Sequence, residues 1–325
     1  MAIGSLAAVA ACSATSHERA VIPSSDSPPS ASALTPIRPP EAIIFASNRS
    51  GNFDLYEEDL ATGALQNLTH SSCDENNPEV SPDNSELVYY QECQGQPPQI
   101  AMLDLKNPAH PSHILNPNVA DNYDPVFMQT PTGLKIIYKT DKDDGKGDIA
   151  RMNLDGSDSH NLTPAMHDTE EWKPEPMPGD LTHLIITSGT GKNVQLYKLD
   201  IVTKTATPLI HGPQHDIVRG WYPAMNPDGK RLTFIAKAPG QPDGPDTLFT
   251  LNLQTDQLVQ VTHPQSLPGD AGDPSWSRDG TKLFFVHDPS DGYQVKVKVG
   301  DTIKTVDGGQ AGSKDLAPVE VQAAA

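Results

Sequence analysis

The stretch DPSWSRDGTKLFFV, residues 273–286, decides the fold. A proline leads into a short strand-forming run, an Asp-Gly pair makes a tight turn, and an apolar second strand follows. Near-copies stand at NPEVSPDNSELVYY from Asn77, DPVFMQTPTGLKIIY from Asp124, KPEPMPGDLTHLIIT from Lys173 and YPAMNPDGKRLTFI from Tyr222. Their prolines, Pro78, Pro125, Pro174, Pro223 and Pro274, recur at steps of 47 to 51 residues. A fixed period in that range marks a repeat architecture rather than one irregular domain.

Three further strand-like segments accompany each proline block. Second strands are expected at 43–47, 87–90, 134–140, 183–188, 231–237 and 282–287, all β-branched or aromatic in character. Third strands begin at Asp54, Gln99, Asp148, Gln195, Thr247 and Tyr293, and most alternate apolar and polar residues as half-buried strands do. Fourth strands are expected in LQNLTH, SHILNP, SHNLTP, ATPLIH, LVQVTH and TIKTV. Asp228-Gly229 and Asp279-Gly280 suit hairpins that need positive φ. Asp59, Asp104, Asn153, Asp200 and Asn252 share one repeat position before the third-to-fourth turn, where their side chains can bond the local backbone.

Four antiparallel strands repeated six times predict an all-β chain folded as a six-bladed β-propeller. The first unit lacks its proline block. LAPVEVQ around Pro318 resembles NPEVS around Pro78, so the C-terminal segment is expected to be the innermost strand of blade one and to close the ring.

The 325 residues carry a formal net charge of -19, which argues against binding nucleic acid or anionic lipid headgroups and favours a basic partner surface. Near the start, MAIGSLAAVAAC brings a short apolar run of small residues to Cys12. Val9-Ala10-Ala11-Cys12 resembles the lipobox of bacterial lipoproteins, which implies a lipid-modified cysteine at the mature N-terminus. No Lys or Arg precedes the run, so the natural start is expected upstream. Residues 13–40 are rich in Pro and Ser, as a tether is. The expected organisation is a signal peptide over 1–11, a lipidated cysteine and linker over 12–40, and a propeller over 41–322. The expected location is the bacterial cell envelope, with a lipid as the only membrane attachment.

The remaining cysteines fit an exported chain. Cys73 falls in the loop entering blade two and Cys93 in the hairpin after that blade's second strand. Both connections lie on one face of a four-stranded blade, so a disulfide between them is expected.

At ASNRSGNFDLYEEDLATGALQNLTH, residues 46–70, and at the SPDN, NPDG and SRDG turns, the chain resembles the TolB-type propeller repeat over about residues 41–310. That wide group includes the periplasmic TolB protein, which binds a peptidoglycan-associated lipoprotein, the propellers of prolyl-oligopeptidase-like enzymes, and oligogalacturonate lyases. The resemblance implies the fold. TolB itself carries an α/β domain ahead of its propeller, where this sequence has a linker.

Chemistry is sparse. A serine hydrolase would need a G-x-S-x-G elbow, which the sequence lacks. His70, His211 and His263 share a repeat position, but on outer strands of different blades, where they cannot meet on one metal ion. The loop DKDDGKGD, residues 141–148, lacks calcium-loop spacing and reads as a solvated turn. Asn67-Leu68-Thr69 and Asn161-Leu162-Thr163 match a glycosylation sequon and carry no information in a bacterial lipoprotein. No cofactor or metal is expected.

The innermost strand of each blade lies nearest the axis, so the loop entering it delivers residues to the channel mouth. Two residues before each proline stand Asn76, Tyr123, Trp172, Trp221 and Gly272. Around the three aromatics lie Asp121, Asp124, Glu170, Glu171, His167, His215, Asp216 and Arg219. Aromatic anchors in an acidic rim form a candidate binding face, with blade packing as the structural alternative. The expected function is a non-enzymatic envelope scaffold binding a protein or peptide partner at this mouth. The alternatives are a polysaccharide lyase or hydrolase using His167, His215 and nearby acids, or a sensor module whose partner domain is encoded elsewhere.

Overall fold

A computed structural model describes residues 39–107, 111–116, 120–143, 145–166, 169–191, 193–210, 219–289, 292–306 and 312–322. Cys12, His167, His215 and Asp216 lie outside them. Blade one contains β1 (Glu41–Ser47), β2 (Asp54–Asp59) and β3 (Leu65–Asn67). Blade two is β4 (Asp74–Val80), β5 (Glu86–Glu92), β6 (Gln99–Asp104) and β7 (His113–Ile114). Blade three is β8 (Asn122–Thr130), β9 (Gly133–Thr140), β10 (Asp148–Met152) and β11 (His160–Asn161). Blade four is β12 (Glu170–Pro176), β13 (His183–Thr190), β14 (Asn193–Asp200) and β15 (Thr205–Pro208). Blade five is β16 (Trp221–Met225), β17 (Arg231–Lys237), β18 (Asp246–Asn252) and β19 (Gln257–Gln260). Blade six is β20 (Asp270–Trp276), β21 (Lys282–Asp288), β22 (Gln294–Val299) and β23 (Thr302–Thr305), and β24 (Asp315–Gln322) completes the chain.

Every sheet is a four-stranded antiparallel meander, and β24 takes the innermost place of blade one, in the order β24-β1-β2-β3. The C-terminal segment thus closes the ring. Glu41 pairs with Gln322 and Ser47 with Asp315, so the backbone of β1 is bonded on both sides. Ile43, Ile44 and Phe45 are fully buried there, and burying side chains of this kind stabilises by about 1.5 to 3 kcal/mol each. Arg49 fastens the closure from the adjoining loop, donating from Nη2 to both oxygens of Asp315 at 3.0 Å while its guanidinium lies 5.0 Å from the Tyr56 ring centroid. At the opposite end of the blade, Arg278 of blade six donates to the carbonyls of Ser81 (2.8 Å) and Pro82 (2.9 Å) in blade two, and its own N–H donates to Glu320 of β24.

The core lies between blades. One cluster joins Ala42, Ile44 and Leu55 of blade one to Val80, Leu87 and Tyr89 of blade two, and another joins Ile235 and Leu248 of blade five to Leu283 and Phe285 of blade six. Fourth strands are shorter than the sequence suggests, two residues each in β7 and β11. Buried side-chain bonds take over where the ladder is short. The Thr69, Thr163 and Thr262 hydroxyls each accept a backbone N–H near the start of a third strand, those of Leu55, Ile149 and Leu248, at 2.9 to 3.0 Å, and Thr69 and Thr163 donate onward to Asp54 and Asp148. That role accounts structurally for the repeated Asn-Leu-Thr.

All six innermost strands carry the same irregularity. Each has one extra residue relative to its neighbour, placed around the repeat proline, as between Trp172 and Glu175 or Tyr123 and Val126. This β-bulge is where a strand tolerates a residue without an N–H. The residue before each proline has positive φ: Asn77, Asp124, Lys173, Tyr222, Asp273 and Ala317, all between 42° and 52°. Asn and Asp adopt this region readily, whereas Lys, Tyr and Ala do so at a cost.

Candidate functional site: the axial channel and its mouth

The six bulges turn the residues before the prolines toward the axis, where they line a channel of about 210 Å³ with the residues that follow. Lys173 is its central charge. The ammonium lies 3.4 Å from Oδ1 of Asp124 and 4.6 Å from the ring centroid of Tyr222, and the Lys173 N–H donates to Oδ2 of Asp124. Asn77 donates to Oδ1 of the same carboxylate. Burial pushes the Lys173 pKa down, but the carboxylates of Asp124 and Asp273 outweigh it and hold the amine above its usual range. Burial raises Asp273, opposed by Lys173 and by a hydrogen bond from the Ala317 N–H.

Deeper in the channel stand Glu79 and Glu175. Burial pushes Glu79 up to about 7 against the pull of Arg278 and Lys173. Burial likewise pushes Glu175 up to about 8, against the Met225 N–H that its Oε1 accepts at 2.8 Å.

Above the channel a wider cavity of about 370 Å³ opens at the mouth, bounded by Asn77, Tyr90, Tyr123, Asp124, Lys139, Glu170, Trp172 and Tyr222. The Tyr123 ring meets Tyr90 of blade two edge to face at 5.1 Å, and Lys139 lies 5.5 Å from its centroid. Lys139 also sits 3.9 Å from Oε1 of Glu170. Burial, followed by the charges of Asp121, Glu92, Asp141 and Asp124, pushes the Tyr123 phenol up to about 12. Burial and the charge of Asp141 raise Asp121.

The aromatics two residues before the prolines do not share one setting. Tyr123 and Trp172 border the mouth cavity. Trp221 instead packs, half-buried, on the Ile235 and Leu248 cluster shared by blades five and six, and Gly272 of blade six sits against Ile235. Asp124 lines both the channel and the mouth cavity. Glu171 is fully buried, accepting from Thr169 (2.6 Å) and Ser188 (2.9 Å). Asp121 and Arg219 are half-buried and Glu170 exposed, and Nε of Arg219 has no hydrogen-bond partner among the described residues. Sequence reasoning missed the axial set, Asn77, Lys173, Tyr222, Asp273, Glu79 and Glu175. Its one available signal was position next to the repeat proline.

Cys73 and Cys93 are joined by a disulfide on the mouth face, with their Cα atoms 4.5 Å apart. Among the described residues no group of three or more His, Cys, Asp or Glu side chains could hold a metal ion, and no helix is long and apolar enough to cross a membrane.

Fold and channel together define a six-bladed β-propeller similar to those of TolB proteins. The particular likenesses are to TolB from Acinetobacter baumannii (16% identity, TM-score 0.67, covering 86% of this chain and 66% of that one) and to a protein assigned as TolB from Agrobacterium tumefaciens (17% identity, TM-score 0.62, covering 87% and 91%). A chain from a nidogen/laminin complex is matched along its whole length, at 9% identity and TM-score 0.65, by 88% of this one. The chain thus spans just under two thirds of the Acinetobacter protein. No protein-family model and no curated protein matches the sequence. At these identities the likeness is one of fold.

Proposed function

We propose that the chain is a non-enzymatic recognition scaffold of the cell envelope that binds a protein or peptide partner at the propeller mouth. The observation that carries this reading is the mouth itself: Tyr123 and Trp172 stand half-exposed there, with Asp121 and Glu170 close by, and Tyr and Trp are enriched at interface hot spots. The raised Tyr123 and Asp121 pKa values have the surrounding carboxylates among their causes, so a basic partner surface is the complement. The likeness to TolB proteins supports an envelope setting, and the nidogen/laminin likeness includes a chain taken from a protein complex.

The polypeptide enters the ring at Glu41, beside the C-terminal end of β24. That is the face of the first-to-second-strand hairpins, opposite the mouth.

A photo-crosslinker at Tyr123 in intact source cells should capture a defined protein that one at Val202, exposed on the turn after β14, does not. With that partner purified, Asp121→Lys should slow association and flatten its salt dependence, with the melting temperature unchanged. Equal capture from both positions, or binding indifferent to salt and to Asp121→Lys, overturns the reading.

A further inference from the structure

The mouth cavity has a chemistry of its own, separate from the rim around it. Its two cations are already matched: Lys139 with the Tyr123 ring and Glu170, Lys173 with the Tyr222 ring and Asp124. An incoming cation would find the ring faces of Tyr123 and Tyr222 taken and like charge beside them. An incoming anion would meet Asp124 and Glu170, each already paired. Neutral groups remain: the half-exposed Trp172 ring and the Tyr90 and Tyr222 phenols, all three bordering the cavity. Burial raises both phenols well above their usual pKa, so they stay protonated and able to donate. A volume of about 370 Å³ falls in the range of small-ligand pockets.

We propose that this cavity binds a neutral polyhydroxylated ligand, a pyranose unit of an oligosaccharide, with Trp172 as the stacking platform and Tyr90 and Tyr222 as hydrogen-bonding groups. A sugar ring combines an apolar C–H face with a hydroxyl edge, and the cavity offers one flat apolar wall and two phenols. Trp172 serves both this inference and partner binding, but Tyr222 serves only this one, so the Tyr222→Phe titration lets either fail alone.

Calorimetric titration of the whole protein with maltotetraose, cellotetraose and chitotetraose tests it, with tetralysine and tetragalacturonate as charged comparators. At least one neutral tetrasaccharide should bind more tightly than both comparators. Trp172→Ala should weaken that binding by about tenfold or more, the scale of one lost anchor, and Trp221→Ala by less than about twofold. Tyr222→Phe keeps the ring and should weaken it by about fivefold, the worth of one hydrogen bond, which keeps the test decisive if Trp172→Ala does not fold. The proposal is overturned if no neutral tetrasaccharide binds at millimolar concentration, if either charged comparator binds more tightly, or if Tyr222→Phe leaves affinity unchanged.

Discussion

The outer turns and the axis repeat the same backbone geometry and treat their side chains in opposite ways. At the third-to-fourth turn, Asp59, Asp200 and Asn252 each accept two successive N–H groups through one oxygen, and Asp104 accepts one. One backbone need is met by one kind of side chain. At the axis, six residues share a left-handed φ within a 10° span, yet they are Asn, Asp, Lys, Tyr, Asp and Ala. Repetition at the turns tracks folding. Diversity under constant geometry marks the place where the six copies have been put to different uses.

Neither region holds if the ring opens, and opening it gives the largest expected effect. Removing residues after Gln310 deletes β24, exposes the backbone edge of β1 and uncovers Ile43, Ile44 and Phe45. The loss should reach about 5 kcal/mol or more, a melting temperature lower by about 10 °C or more, with aggregation through the free edge. Unchanged melting in the truncated protein would separate closure from stability.

Exchanging residues within one repeat position tests the comparison directly. Lys173→Ala places at blade four what Ala317 supplies to blade one, with compatible φ. Because it leaves Asp124 and Asp273 without their cation in a mostly buried site, it should cost about 3 kcal/mol by thermal or denaturant unfolding. A cost below about 0.5 kcal/mol would make the axis as interchangeable as the turns.

Reducing Cys73–Cys93 should cost slightly less. The bond closes a loop of 20 residues, worth roughly 3 kcal/mol on the chain-entropy account and often less in practice. Mass spectrometry after alkylation of the denatured, unreduced protein should find both sulfurs blocked.

Much of this was legible in the sequence for a definite reason. Turn chemistry and alternation are local, so SRDG, NLTH and the strand runs announced themselves, and closure followed from the missing proline block. The axial set was hidden by the bulge. In a regular strand, residues an even number apart face one way, and counting back from Pro174 pointed to Trp172. The extra residue between Trp172 and Glu175 breaks that parity and turns Lys173 inward. A residue before proline is ordinarily extended, so nothing in Lys173-Pro174 signalled a left-handed backbone. The unlike settings of Trp172 and Trp221 depend on their neighbours, Lys139 and Glu170 for one and Ile235 and Leu248 for the other, which repeat spacing does not encode.

The axis should also show itself in pH dependence. Glu175 has its folded pKa raised from 4.5 to about 8 by burial. Below 4.5 it is protonated in both states and contributes nothing to pH dependence. As pH rises from there toward 8, the unfolded chain releases the proton while the folded chain keeps it, so stability falls across that window and then levels off. Glu175→Gln keeps an oxygen to accept the Met225 N–H and should flatten the melting curve against pH between about 5 and 8. Identical slopes in variant and wild type would show that the carboxyl ionises freely in the folded ring.

The smallest effect is expected at the turns, and its smallness is the point. Asp200→Asn gives blade four the residue that Asn252 supplies to blade five. Its side-chain oxygen can accept from Val202 and Thr203 as that of Asn252 accepts from Gln254 and Thr255. What is lost is a charge 3.9 Å from Nε2 of His183, a long, half-buried surface contact of a kind worth little. The change in stability should stay within about 0.5 kcal/mol at neutral pH. Asp200→Ala, which removes the acceptor as well, should cost about 1 kcal/mol. If Asn proves as costly as Ala, charge rather than the hydrogen-bonding oxygen holds the turn, and the contrast with the axis loses its physical basis.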